Sequence, residues 1–123
     1  MKTRDPVEPR RGDILWIDCD PSVGAEPKKI RSCVVIQHDV ANHFAQTVTV
    51  IPTLAFSAER VSRPYYVDLR QPRSTMDKPR VANASMIMTY DRRRIVGRAG
   101  RVTGDALAKI DRALAVHLGL ADP

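Results

Sequence analysis

The residues best able to do chemistry crowd one junction near the start of the chain. Lys28, Lys29 and Arg31 form a compact basic cluster, and a guanidinium can make paired hydrogen bonds to phosphate oxygens. Asp18, Asp20 and Glu26 lie in the same segment, and carboxylates so grouped could hold a divalent cation. No calcium-loop spacing is present, and turn or capping duty explains Asp20 better than a metal; Glu26 stays open. His38 and His43 could form an acid–base pair, although histidines in a polar stretch read first as loop surface. His117 adjoins an apolar stripe and reads as a packed or capping residue. Cys19 and Cys33 sit in apolar runs and are expected to be buried, reduced thiols. Two cysteines are too few for a disulfide framework or a thiolate zinc site. No P-loop, dinucleotide fingerprint, His-Glu-x-x-His or Gly-x-Ser-x-Gly occurs, so the chemistries those motifs carry have no support here.

Charge adds a second signal. The chain of 123 residues carries a formal net charge of +6, with 15 arginines against 5 lysines. The excess is local: residues 59–101 hold 11 basic and 4 acidic groups, and the remainder sums to −1. A basic middle is the footprint of a phosphate-binding surface, with Arg73, Arg80, Arg92, Arg93 and Arg94 as candidate contacts. The competing reading is a solvated, arginine-rich face, and charge alone leaves both open.

The elements that must position these groups are short. A length of 123 residues with 43% hydrophobic content fits one domain with a real core. Residues 1–10 read as a flexible leader, 11–120 as a single domain and 121–123 as a tail. No apolar run approaches the roughly eighteen residues of a membrane span, so a cytoplasmic location without membrane contact is expected. Asp13 to Asp18 and Ile30 to Gln37 read as strands, joined by turn chemistry at Asp20-Pro21-Ser22-Val23-Gly24. His38 to Ala45 reads as a loop or one helical turn, with Asp39 as a possible N-cap. Thr47 to Ile51 is a third strand, ended by Pro52, which cannot donate to a ladder. Val61 to Leu69, with Tyr65 and Tyr66 on opposite faces, and Val81 to Thr89 are expected as the next strands. A turn at Asp91 to Arg94 and a short strand to Val102 follow. Thr103 is an N-cap candidate, and Leu107, Ile110, Leu114 and Leu118 then recur at helical spacing up to Gly119. The pattern is mostly β with a closing helix, a small antiparallel barrel with helical cover.

Several segments in order resemble the MazF/PemK family of toxins from toxin–antitoxin modules. They are Arg11-Gly12-Asp13-Ile14-Leu15-Trp16-Ile17-Asp18, Asp20-Pro21-x-x-Gly24-x-Glu26, and Arg31 leading into Cys33-Val34-Val35-Ile36-Gln37. Thr89-Tyr90-Asp91-Arg92-x-Arg94-Ile95 and the final helix to Leu120 continue the likeness. The resemblance implies an SH3-like barrel, a homodimer, and a metal-independent endoribonuclease that cuts single-stranded mRNA without a cofactor. It further implies a partner antitoxin whose tail occupies the RNA groove. Catalytic roles are implied for Arg31, Thr53 and Glu26; with the charge pattern, the expected RNA contacts are Lys28, Lys29, Gln37, Arg73, Arg80, Ser85, Arg92, Arg93 and Arg94.

Three departures stand out. Ser32 follows the implied catalytic arginine, where the family usually has proline. The family's threonine ends the third strand as Pro-x-Thr, whereas this chain reads Pro52-Thr53-Leu54, so either Thr53 or Leu54 occupies the slot. A one-residue offset in a strand reverses the face of a side chain. Ser85 and Met86 stand where relatives often carry an acidic residue and glutamine. An inactive RNA- or antitoxin-binding relative is therefore the alternative reading. A gyrase poison of similar architecture is disfavoured, because such a toxin acts through a C-terminal Trp-Gly-Ile and this chain ends Leu120-Ala121-Asp122-Pro123.

Overall fold

The computed structural model describes residues 7–123. Its first strand, β1 (Asp13–Asp18), is apolar on both sides because both sides of the sheet are covered. Ile14 faces a core with Val34, Ile51, Leu69 and Ile110, while Leu15 and Ile17 face a second core with Cys33, Val35, Val48 and Val50. β2 (Ile30–Val35) pairs antiparallel with β1, placing Trp16 opposite Ser32 and Ile17 opposite Arg31. The remaining elements are α1 (Asp39–Phe44), β3 (Thr47–Ala55), α2 (Ala58–Val61), β4 (Tyr66–Asp68), β5 (Arg80–Asn83) and β6 (Met88–Asp91). A 3-10 turn at Arg92–Arg94, β7 (Ile95–Arg101) and α3 (Gly104–His117) complete the chain. The strand order is β4-β5-β3-β2-β1-β7, with β6 also on β3. All pairings are antiparallel, giving a small barrel-like sheet that stays open.

The third strand runs straight through its proline. Ile36 N–H donates to the Thr49 carbonyl, so residues 49, 51 and 53 turn their backbone groups toward β2 and Pro52 turns its nitrogen to the other edge. On that edge β6 ends opposite Val50 and β5 begins opposite Thr53. The missing donor falls in the gap between two neighbours and costs no ladder bond.

Other local readings are corrected in the same way. The stretch Val81 to Thr89 is two strands, because Asn83 Oδ1 accepts from Ser85 N–H and Oγ and folds a turn between them. Val61 ends a one-turn helix capped by Ser57, leaving only Tyr66–Asp68 as strand. The rings of Tyr65 and Tyr66 lie 4.9 Å apart, so they share a side. His38, not Asp39, caps α1, and the Asp39 carboxylate instead accepts from Arg11 N–H and Asn42. Of the expected leader, residues 1–6 lie outside the described part. Val7 packs on the second core and the Glu8 carbonyl accepts from Arg98.

The closing helix starts where expected, with Thr103 Oγ1 accepting from Ala106 N–H. Ala106, Ile110 and Ala113 are buried in its contact with the sheet, with Leu107 and Leu114 partly so. Leu118 falls past the last turn and is 57% exposed. We therefore expect Ile110→Ala to cost about 2–5 kcal/mol in urea unfolding, while Leu118→Ala stays within about 0.5 kcal/mol. Equal costs would mean that the helix docks in another rotation.

Candidate active site

The loop from Cys19 to Lys29 is held shut by its own polar groups. Cys19 N–H donates to the Lys29 carbonyl, Val23 N–H donates to Glu26 Oε1 at 2.8 Å, and Gly24 adopts φ +58°. Asp18 accepts from Asp20 N–H and Asp20 from the Ser22 hydroxyl, so these two acids serve the turn. Glu26 and Lys28 reach one wall of a cleft of about 380 Å³, whose other walls are Arg31, Leu54, Asn83 and Met86. Arg31 is exposed at the start of β2, and its Nε–H donates to the Lys28 carbonyl at 2.9 Å. Loop and strand thus gather Glu26, Lys28 and Arg31. Lys29 takes a left-handed φ of 61° and lines none of the clefts described here.

Register decides where Thr53 points. Cys33 stands opposite Pro52, and continuing that ladder brings Ser32 opposite Thr53 and Arg31 opposite Leu54. The Ser32 and Thr53 hydroxyls meet at 2.6 Å, as this requires. Thr53 is 1% exposed and pairs across β5 with Ala82, a residue of the first core. Arg31 pairs with Ile17, a residue of the second. The Arg31 and Thr53 side chains therefore leave opposite faces of the sheet, and Leu54 occupies the position across from the arginine. Thr53 borders the Glu26 cleft, but its hydroxyl is spent on the other side.

What holds that hydroxyl is Arg80. Its Nε–H donates to Thr53 Oγ1 at 3.0 Å and its Nη2 donates to the Thr53 carbonyl at 2.9 Å. This face opens into a second cleft of about 380 Å³, whose lining includes Trp16, Arg31, Ser32, Asp77, Lys78 and Arg80. Arg31, at the end of its strand, borders both clefts. Burial, and then the nearby charges of Arg31 and Arg60, lower the Arg80 pKa from its ordinary value. Among the described residues, Arg31, Arg60 and Arg80 pair with no carboxylate.

The other arginines of the basic stretch are engaged elsewhere. Arg70 and Arg73 pair with Asp68, and Arg98 and Arg101 converge on the buried Asp13. Arg92 donates to the carbonyls of Asn42 and Ala45 and ties α1 to the turn after β6. Arg94 donates to the carbonyls of Asp18 and Asp20, bracing the base of the first loop. Gln37 bonds Asn42, the Thr47 carbonyl and Thr49 N–H, and Ser85 bonds Asn83. These residues bond within the scaffold and line neither of the two clefts beside Arg31. The cysteines are buried and form no disulfide, as expected, and His43 contacts Glu8 at 2.7 Å, whereas the ring of His38 caps α1. Sequence reading passed over Trp16, Lys78 and Arg60; counting the β2–β3 register from Pro52 would have exposed the Ser32–Thr53 contact.

Comparison with known proteins decides the family. Residues 10–118 match the PemK-like, MazF-like toxins of type II toxin–antitoxin systems. This chain belongs to that family. A curated relative, endoribonuclease EndoA of Bacillus subtilis (strain 168), is 27% identical over 113 residues, covering 92% of this chain and 97% of its own. The fold matches MazF from Deinococcus radiodurans with a TM-score of 0.76 at 21% identity, over 92% of this chain and 98% of that one. A mycobacterial endoribonuclease in complex with its cognate antitoxin matches with a TM-score of 0.75 at 21% identity, over 94% and 99%. The MazF-like toxin fold thus presents, in this chain, one basic cleft on each side of Arg31.

The Arg93 pair offers a direct check on which arginines are available. The Arg93 guanidinium, with its N–H, holds the Asp91 carboxyl down to about 2. A depressed folded value favours the fold above the ordinary carboxylate range and is lost as pH falls toward 2. NMR titration should place Asp91 near 2 and, in Arg93→Ala, higher but still below the ordinary value, since the backbone bond remains. No change in the variant would show that the pair does not form and that Arg93 is available to phosphates.

Proposed function

We propose that this toxin is a metal-independent endoribonuclease that cuts single-stranded mRNA at short preferred sequences. The observation that carries the reading is the joint placement of Arg31, Glu26 and Lys28 in one open cleft at the end of β2. Family membership and the activity named for the curated relative support the class of reaction.

The nucleophile is the substrate's own 2′-OH, tethered beside its phosphate, so effective molarity is built in. Glu26 accepts its proton as the 2′-oxygen bonds to phosphorus. The bond from phosphorus to the 5′-oxygen breaks, and that oxygen takes a proton from solvent at the open mouth of the cleft. The products are a 2′,3′-cyclic phosphate and a 5′-hydroxyl end. Arg31 stabilises the extra negative charge on phosphorus through its fork, work that otherwise falls to a metal ion. Lys28 holds a flanking phosphate. A chain without the 2′-OH lacks the nucleophile, which gives discrimination against DNA.

We assign the toxin to the cytoplasm, as a homodimer neutralised by a cognate antitoxin. Among the described residues no helix is long and apolar enough to cross a membrane, and a structural neighbour is named as a complex with its antitoxin. A second reading, a catalytically impaired relative that binds RNA or antitoxin, is favoured by the register: continued from Cys33 opposite Pro52, it brings Leu54, with no hydroxyl, across from Arg31.

Primer extension on a long RNA incubated with the protein and EDTA separates the two. Cuts at a few recurrent sequences with 5′-hydroxyl ends are expected, and an intact RNA would favour the impaired relative. Arg31→Ala should lose about 100- to 1000-fold in cleavage rate with the fold unchanged by circular dichroism. Near-normal activity in that variant would remove Arg31 from the site.

A further inference from the structure

Arg80 is unusual among the arginines of this chain. It is partly buried, has no carboxylate partner among the described residues, and is held by two bonds from one residue, Thr53. The Thr53 hydroxyl in turn meets Ser32 at 2.6 Å in a buried contact. The Ser32 hydroxyl holds that of Thr53, and the Thr53 hydroxyl and carbonyl thus fix one edge of the guanidinium. Its Nη1 donates to no acceptor among the described residues, and Arg80 lines the same cleft as Arg31. Keeping a guanidinium half-buried beside two other arginines is costly unless an anion arrives to offset it.

Resting on the ribonuclease reading above, we propose that Arg80 is a second catalytic cation, binding the scissile phosphate together with Arg31, and that Thr53 is its positioning residue. Arg31 approaches from one face at the end of β2 and Arg80 from the other, so a phosphate seated over the strand end receives two forks. The proton movements are those already given; Arg80 changes only the charge on the non-bridging oxygens. Two cations clamping a transferring phosphoryl group stabilise charge that grows in the transition state more than in bound substrate. The Thr53 hydroxyl never touches RNA. It pre-sets the Arg80 fork, and Ser32 anchors that hydroxyl. This gives a role to two of the three departures from the family pattern, Ser32 after the arginine and Thr53 one residue early.

Steady-state cleavage of an RNA that the wild type cuts tests the assignment. Arg80→Ala should lower kcat about 100- to 1000-fold with KM changed far less, and millimolar guanidinium should restore part of the rate while equal sodium chloride does not. Thr53→Ser should stay close to wild type, whereas Thr53→Val should lose up to about 100-fold in kcat through a misplaced fork. An Arg80→Ala that raises KM and flattens the salt dependence at unchanged kcat would make Arg80 a surface contact only and overturn the proposal. So would a failure of guanidinium rescue. Should Arg80→Ala fail to fold, Arg80→Lys decides: it keeps the charge without the fork, so a lowered kcat supports the assignment and a wild-type kcat overturns it. A wild type that leaves every RNA intact would instead overturn the ribonuclease reading itself.

Discussion

The ladder between β2 and β3 is the constraint on which the site depends. Cys33 opposite Pro52 sets the register, and with a period of two that single pairing assigns every side chain near the strand ends to a face. It puts Val34 and Ile51 into one core and Cys33, Val35 and Val50 into the other. It also puts Arg31 beside Leu54, and Ser32 beside Thr53. A slip of one residue would bury Arg31 and expose apolar side chains of both cores, so the two faces of hydrophobic burial enforce the register. Stability and chemistry share one cause here.

The surrounding arginines show how charge in a sequence divides between scaffold and site. Asp13 is 3% exposed and receives Arg98 and Arg101 as well as the Arg10 N–H. These bonds tie β7 to the start of β1 and the preceding turn. Arg92 and Arg94 satisfy carbonyls left by α1 and by the first loop. Such groups brace the loop and strand ends that carry Arg31 and Glu26. Arg31, Arg60 and Arg80, which pair with no carboxylate among the described residues, lie close enough for the charges of Arg31 and Arg60 to act on Arg80.

Much of this was legible in the sequence where the deciding physics is local. The strand Asp13–Asp18, the Thr103 cap, the helix to His117 and the turn after Asp20 each rest on neighbours a few residues apart. What failed locally was decided across the sheet. Pro52 read as a strand end because the sequence does not say which edge its nitrogen faces, and the Val81 to Thr89 run concealed a turn made by Asn83. The partners of Arg98 and Arg101 lie 85 and 88 residues away, beyond any pattern of spacing. Glu26, Lys28 and Arg31 could be grouped because one short loop joins them. The Ser32–Thr53–Arg80 set spans three strands and emerged only with the fold.

The central claim is that the strand end supplies charge while the substrate supplies the nucleophile. The most direct measurement uses a single-stranded oligonucleotide containing one preferred cut site, with and without a 2′-deoxy sugar at the nucleotide preceding the cut. The account predicts that the deoxy substrate binds with similar affinity and is not cut, while the all-ribose substrate yields a 2′,3′-cyclic phosphate. Cleavage of the deoxy substrate at the same bond would contradict it, because an external nucleophile would then be doing the attack.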